Sequence, residues 1–304
     1  MFEKKYLDQV RIILDVLPFI RKYGEFAIKG GTAINFFVFN LPRLSVDIDL
    51  CYLPVEERDK SFARMNKIME EISELIKARF PDYSLSLNRS GNANIGKLII
   101  SGNHVSVKIE PNEVLRGFVR KPEIKSISKE VSSIFNLLPE ARILAVPDLF
   151  GGKICAALDR QHPRDLFDIH MMMRNRMFNR EIRKVFLIYL IQSSRPISEM
   201  LDPNKLDISK SFNNEFSGMI KKSITIDQLY FARDKLISKI KMNLNANEKE
   251  FLLSVKSGEP DWKKLGIGDY SHLPGVQWKL HNLKKMSKTK KAEAYTKLKE
   301  VLFS

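Results

Sequence analysis

The stretch KGGTAINFFVFNLPRLSVDIDL, residues Lys29–Leu50, decides the fold of this chain. Near its end, Asp47 and Asp49 flank Ile48, and the two-residue period of a β-strand places both carboxylates on one face. Two converging carboxylates are unfavourable unless a cation neutralises them, and a divalent metal is the usual solution. We therefore predict that Asp47 and Asp49 bind Mg²⁺ or Mn²⁺.

The beginning of the same stretch favours an anion. Gly30 and Gly31 let the backbone approach a ligand closely, and the N-terminus of a following helix attracts negative charge. We predict that Thr32 is the N-cap of a helix that runs through Phe39. A triphosphate beside a divalent metal fits both ends of the stretch. A tight turn and two exposed strand aspartates would explain either end alone.

The run Gly30-Gly31-Thr32-Ala33, followed by RLSVDIDL at Arg43–Leu50, resembles the nucleotidyltransferase superfamily, and in its fuller form the AbiEii toxin family. The resemblance implies an NTP substrate held by Gly30, Gly31 and Thr32. It also implies a role as the toxin of a toxin–antitoxin or phage-exclusion system, with a cognate antitoxin. We expect Arg43 to hold the loop by pairing with an aspartate, although a contact with phosphate is the alternative.

A second segment, KICAALDRQHPRDLFD at Lys153–Asp168, is similar to downstream motifs of the same family. The resemblance implies that Lys153 contacts the triphosphate and that Asp165 has a catalytic or organising role. A lysine is a suitable point charge for phosphate, and an aspartate near a helix N-terminus is ionised and able to orient it. The structural alternative is that Asp165 and Asp168 cap the helix or pair with nearby arginines. We also predict that Asp148 caps the helix that carries Lys153.

Glu110 is the candidate for a third carboxylate. It ends a predicted strand in which Val105, Val107 and Ile109 alternate with polar residues. In polymerase-like nucleotidyl transfer, a third carboxylate acts as general base on the attacking hydroxyl or completes the metal shell. The alternative is a solvated strand end.

Composition adds a possible partner and a compartment. The 304 residues include 51 Lys and Arg against 36 Asp and Glu, a formal charge of +15. This excess favours a polyanion such as RNA, although it also serves general solubility. The two cysteines lack metal-ligand spacing, so we expect reduced thiols. We find no transmembrane run and no signal-peptide core, and we expect a cytoplasmic protein that does not contact membranes.

We predict an α/β (α+β) nucleotidyltransferase fold, with a mixed sheet flanked by helices, over residues 1–195. A mainly helical domain follows over residues 196–304. Thr225 and Gln228 fit a capping box, and Gly258 ends a later helix. Eight lysines between Lys279 and Lys299 indicate either a surface for nucleic acid or a solvated helix face.

The predicted reaction is attack of an acceptor hydroxyl on the α-phosphate of an NTP, which transfers NMP and releases pyrophosphate. The resemblance implies that the acceptor is tRNA or another RNA; a protein side chain is the alternative. A rival class is a nucleotide- or RNA-binding protein without chemistry. The presence of Asp47, Asp49, Glu110, Lys153 and Asp165 together argues against that rival.

Overall fold

The computed structural model describes residues 2–90 and 94–303. Contacts divide the chain into two compact units, residues 1–149 with 215–223, and residues 150–214 with 224–304. None of the helices in these described residues is long and apolar enough to cross a membrane.

The first unit contains a seven-stranded mixed sheet, counted over the described residues. Its strands are β1 Phe26–Lys29, β2 Asp47–Tyr52, β3 Ser84–Ser90, β4 Asn94–Gly102, β5 Val105–Pro111, β6 Glu123–Ser126 and β7 Glu140–Ile143. Their spatial order is β3-β4-β5-β2-β1-β7-β6. β2 pairs with β5, and β1 with β7, in parallel, whereas the other neighbours are antiparallel. The predicted mixed sheet is therefore confirmed.

Helices of the first unit pack on this sheet. They are α1 Lys4–Arg21, α2 Gly30–Ala33, α3 Arg58–Arg79 and α4 Lys129–Phe135, with a π-helical segment at Ile34–Val38 and a 3₁₀ turn at Ser217–Met219. α1 packs on β1, β5 and β7, and α3 on β3 and β4. The apolar stripe of α1 is at most 2 % exposed, at Val10, Ile13, Leu14, Leu17 and Ile20. In the sequence these apolar residues recur three and four positions apart, a spacing that predicts a helix with one apolar face, and this is the face that covers the sheet.

The second unit is helical over its described residues. Its helices are α5 Val146–Asp159, α6 Pro163–Arg174, α7 Arg180–Gln192, α8 Ile197–Leu201, α9 Ser209–Glu215, α10 Ile226–Asn243, α11 Ala246–Ser257, α12 Trp262–Leu265, α13 Pro274–Lys285 and α14 Lys288–Phe303. The first residues of α5 and the last residue of α9 belong to the first unit. The capping box of Thr225 and Gln228 and the left-handed Gly258 are confirmed.

The division into units differs in position from the sequence boundary at residue 195. The chain changes unit after Leu149, inside α5, because α6 packs on α10 and α7 packs on α13. The helices that carry Lys153 and Asp165 therefore group with the C-terminal helices. The sequence boundary followed the break in helical pattern near Pro196, which marks only the short loop before α8.

The two predicted caps are wrong. Lys29, in an extended conformation, is the N-cap of α2, and the hydroxyl of Thr32 instead donates to the Asp47 carbonyl, 2.5 Å away. Asp148 lies within the first turn of α5, and its carboxylate accepts the backbone N–H groups of Val119 and Arg120 at 2.7 and 2.9 Å. Both side chains satisfy distant backbone groups, which helix-start signals in the sequence do not show.

The helix after Thr32 is also not a regular α-helix. Residues Ile34–Val38 are π-helical, and the N–H of Phe39 bonds to the carbonyl of Ile34, five residues before it, at 2.8 Å. π-Helical segments are rare and are frequently found at functional sites. This one follows directly on the glycine pair.

Residues 215–223 return to the first unit and fix the loop before β2. The N–H of Leu44 donates to the Met219 carbonyl at 2.7 Å, and the N–H of Lys221 to the Pro42 carbonyl at 3.2 Å. These bonds hold the backbone that leads into Asp47.

Candidate functional site

Asp47 and Asp49 lie on one face of β2. Both are half-buried, whereas Ile48 and Leu50 between and beyond them are fully buried, as strand alternation requires. The predicted pairing of the two carboxylates on one face is therefore present in the structure.

Strand register places Glu110 beside Asp49. Asp49 is the partner of Lys29 on β1 and of Glu110 on β5. Register partners project from the same face of a sheet, so a row of charged residues runs from Lys29 through Asp49 to Glu110. The structure thus brings together three of the predicted site carboxylates, although Glu110 follows Asp47 by 63 residues in the sequence.

Gly30 lies directly against Asp49. Its φ is +70°, a left-handed conformation that disfavours side chains. A Cβ atom at this position would lie 2.3 Å from Oδ2 of Asp49. Glycine is therefore required twice over, by conformation and by the carboxylate next to it.

The side chain of Arg43 packs against Gly31, the second glycine. Its guanidinium is 1 % exposed and donates to the Leu44 carbonyl at 2.8 Å. A Cβ on Gly31 would lie 2.7 Å from Nη2 of Arg43 and 2.8 Å from Oγ of Ser45. The Arg-x-Ser motif is therefore packed against the glycine turn, which agrees with a structural role for Arg43.

The carboxylates suit a metal that arrives together with phosphates. Within residues 2–90 and 94–303, no group of three or more His, Cys, Asp or Glu side chains is arranged to hold a metal ion. The carboxylate of Glu110 lies 3.9 Å from the ammonium of Lys97. Mg²⁺ commonly takes one or two protein carboxylates and fills its shell with water and substrate phosphates. A metal-binding role for Asp47, Asp49 and Glu110 stays a prediction.

Lys153 is the centre of a buried ion-pair cluster in the second unit. Its ammonium lies 2.9 Å from a carboxylate oxygen of Asp165 and 2.9 Å from one of Asp168. The guanidinium of Arg160 approaches Asp165 to 2.6 Å. Lys153 is 6 % exposed, and the two aspartates are almost completely buried. Lys153 thus faces two anions with little water between them, whereas the side chain of Arg160 is exposed.

The cluster sets the ionisation of Asp165. Burial alone would raise the pKa of its carboxyl, but the charges and hydrogen bonds of Lys153 and Arg160 outweigh burial and hold the pKa well below its usual value. A carboxylate stabilised in this way is a weak proton acceptor. This favours the organising role of Asp165 over a role as general base.

Sequence reasoning missed the contact between Asp168 and Lys153. It assigned Asp168 to capping or to an arginine, whereas the N-cap of α6 is His162, whose ring nitrogen accepts the N–H of Arg164 at 3.2 Å. The signal was present, because residues three apart, such as Asp165 and Asp168, share one helix face.

Comparison with known proteins identifies the family. The sequence model of the AbiEii family, described as a nucleotidyl transferase AbiEii toxin of a type IV toxin–antitoxin system, matches residues 11–282. The chain belongs to the AbiEii family. It is accordingly a nucleotidyltransferase toxin, and a toxin of this kind implies a cognate antitoxin.

The AbiEii chain also resembles a solved structure. MenT4, a nucleotidyltransferase toxin from Mycobacterium tuberculosis H37Rv, superposes with a TM-score of 0.61 at 15 % identity. The match covers 92 % of this chain and 95 % of MenT4. At this identity the likeness supports the fold, and it extends beyond the sheet into the helical part. No curated protein matches the chain significantly.

The contact between Gly30 and Asp49 leads to a first prediction. Gly30→Ala is expected to lower the melting temperature by a few degrees, since a left-handed alanine costs about 1 kcal/mol, and to displace the Asp49 carboxylate. The rate of NMP transfer should therefore fall strongly, although the protein stays folded. Gly24→Ala is the matched control, because a Cβ at Gly24 has no atom within 4 Å. Melting curves and transfer of label from NTP measure both effects; normal transfer in a folded Gly30→Ala variant would contradict the prediction.

The buried cluster leads to a second prediction. Lys153→Met removes the charge that faces buried Asp165 and Asp168 without changing helix propensity. Breaking a buried pair costs about 3–5 kcal/mol, so the melting temperature should fall by roughly 10 °C. Lys205→Met is the control, because its pair with Asp234 is exposed and contributes at most about 1 kcal/mol.

The same melts, repeated with Mg²⁺-NTP, separate the two roles of Lys153. A ligand raises stability in proportion to its affinity for the folded state. An unchanged melting temperature without nucleotide, together with lost stabilisation by nucleotide, would show that Lys153 is a triphosphate ligand rather than a structural cation.

Proposed function

We propose that this AbiEii protein transfers NMP from an NTP to an acceptor hydroxyl on tRNA or another cellular RNA. The observation that carries the proposal is the row of Asp47, Asp49 and Glu110 beside the left-handed turn at Gly30. The exposed backbone N–H groups at the glycine turn can bind phosphate, and the neighbouring carboxylates can bind the metal that accompanies a triphosphate.

In this proposal, Asp47 and Asp49 hold a divalent cation, and Glu110 completes its shell or takes the proton of the attacking hydroxyl. A bound Mg²⁺ or Mn²⁺ would neutralise charge on the phosphates during transfer. The backbone of Gly30 and Gly31 and the Thr32 turn bind the triphosphate and keep it against the carboxylates. Closely packed backbone orients the reacting phosphate, which is the main contribution a protein makes to phosphoryl transfer.

The reaction itself is a substitution at the α-phosphorus. The oxygen of the acceptor hydroxyl forms the new bond, its proton passes to a carboxylate or water, and the bond to pyrophosphate breaks. Lys153 and Asp165 enter the proposal through the likeness of their motif to that of the family. That likeness implies a triphosphate contact for Lys153, oriented by Asp165, and the melts with Mg²⁺-NTP test this role against the structural one.

The positive charge of the protein supports RNA as the acceptor. The formal charge of +15 attracts polyanions without regard to sequence. Part of the excess lies on α13 and α14, where Lys284, Lys285 and Lys288 are exposed. A protein acceptor would not need this charge, and it is an outcome that the following experiment detects.

The third prediction tests the site. Asp49→Asn is expected to abolish transfer while the melting temperature stays within a few degrees, because this half-buried carboxylate faces away from the apolar core. The purified protein is incubated with each labelled NTP, total RNA and total protein. Asp82→Asn, at an exposed turn residue, serves as control.

Each outcome of this experiment is informative. Label in RNA that depends on Asp49 supports the proposal, and label in the protein fraction would replace RNA by a protein acceptor. Full transfer by a folded Asp49→Asn protein would remove the carboxylate site.

The fourth prediction concerns the lysines of α13 and α14. Reversing the charges of Lys284, Lys285, Lys288 and Lys291 should weaken RNA binding and flatten its dependence on salt, by up to about 0.7 in logarithmic slope for each lost contact with single-stranded phosphate. The control reverses four exposed lysines elsewhere, namely Lys4, Lys121, Lys222 and Lys263. Equal slopes for the two variants would assign the α13 and α14 lysines to solubility.

A further inference from the structure

A cavity of about 600 Å³ lies within the second unit, between the C-terminal end of α7, α8, α11, α13 and α14. Its volume is in the range of pockets that hold a small ligand. Lys256, Lys279, Lys290 and Lys297 line it, against the carboxylates of Glu199 and Glu293. The wall is therefore positive.

Lys256 is the residue that makes this cavity unusual. It is 7 % exposed and lines the cavity from α11. Within residues 2–90 and 94–303, its ammonium has no hydrogen-bond or ion-pair partner. Burial lowers the pKa of Lys256, since no anion offsets the loss of water. The Nζ of Lys256 is not one of the fully shielded unpaired side-chain atoms of the described residues, so it reaches the water of the cavity and is open to a ligand that supplies negative charge.

Lys279 adds a second cation with an unused donor. Its ammonium donates to the carbonyls of Ser193 and Arg195 at 2.7 and 2.9 Å. An ammonium has three N–H donors, so these bonds leave one for a ligand. Burial and the neighbouring charge of Lys256 lower the pKa of Lys279 to about 8. Two cations that repel each other at one wall create a site for a shared anion.

The carboxylates of the wall do not provide that anion. Glu199 lies 3.9 Å from Arg195 and 3.9 Å from Lys297, which leaves it neutralised by two other cations. Glu293 is exposed on α14. No carboxylate of the described residues pairs with Lys256, so an anion bound there comes from outside the unit.

An aromatic surface indicates what is attached to the anion. The indole of Trp278 also lines the cavity and is 58 % exposed, although large aromatic side chains are usually buried. All nucleic-acid bases can stack on an exposed aromatic ring, and each stacked base contributes about 1–3 kcal/mol to the binding free energy. A single nucleotide has both groups, a phosphate that Lys256 and Lys279 can bind and a base that can stack on Trp278.

We propose that this cavity is a second nucleotide site, in which Lys256 and Lys279 bind the phosphate and Trp278 stacks on the base. It lies wholly in the helical unit and uses none of the residues of the proposed transfer site. Its occupant is either a free nucleotide or one nucleotide of an RNA strand. The two sources share the same phosphate and base chemistry, and the experiment distinguishes them.

The test measures binding in EDTA, where the proposed metal-dependent NTP site is not loaded. The probes are inorganic phosphate, adenosine, AMP and a single-stranded U8 oligonucleotide, followed by calorimetry and tryptophan fluorescence. We expect AMP or U8 to bind and quench Trp278, and Lys256→Met to weaken that binding about tenfold or more. Trp278→Phe should remove the quenching, since Trp262 is the other tryptophan in the sequence.

A matched control separates the site from general charge. Lys263→Met removes an exposed charge on α12 outside the cavity wall and should leave binding of AMP unchanged. Lys256→Met should melt no lower than wild type without ligand, because it removes a buried charge that lacks a partner. A structural lysine would give the opposite result, with lower stability and unchanged affinity.

The outcomes decide both the site and its source. Tighter binding of U8 than AMP assigns the site to an RNA strand, and the reverse assigns it to a free nucleotide. Equal binding of inorganic phosphate and AMP, with no effect of Trp278→Phe, would overturn the nucleotide assignment. Binding that is insensitive to Lys256→Met for every probe would overturn the site. None of these readings depends on transfer activity, so a failure here is separate from a failure of the proposed function.

Discussion

The contact between the backbone of Gly30 and the carboxylate of Asp49 is the constraint on which the candidate site depends. A Cβ at Gly30 would come within 2.3 Å of Oδ2, so any side chain at this position would displace the Asp49 carboxylate. Other interactions hold the two segments in place. The hydroxyl of Thr32 binds the Asp47 carbonyl, Arg43 packs under Gly31, and residues 215–223 fix the loop before β2. The result is a backbone that faces a pair of carboxylates without an intervening side chain.

Part of this arrangement could be predicted from the sequence because its signals are local. Strand alternation placed Asp47 and Asp49 on one face, and apolar spacing identified α1 and its buried stripe. Glu110 was selected only through the chemistry expected of the site. Its position beside Asp49 depends on the parallel pairing of β2 with β5, which joins segments that no local pattern connects. The caps at Thr32 and Asp148 failed for the same reason, since their true partners are 15 and 29 residues away.

The second unit shows why helix prediction from the sequence does not locate unit boundaries. Capping boxes and a left-handed glycine correctly marked where helices begin and end. They carry no information about which helices pack together. α6 and α7 follow the sheet closely along the chain, yet they pack on α10 and α13. Lys153, Asp165 and Asp168 therefore form a cluster within the helical unit.

Three buried lysines in the described residues show how this chain compensates for burying a charge. Lys153 faces two carboxylates, and Lys184 donates to the carbonyl of Leu265. Both solutions replace the lost water with fixed negative charge or a dipole. Lys256, buried to the same degree, has neither among the described residues. Packing alone would favour an apolar residue at this position on α11, where Leu252 and Val255 are already buried. The ammonium of Lys256 instead reaches the cavity, and this difference from the two lysines with protein partners is what points to an external anion.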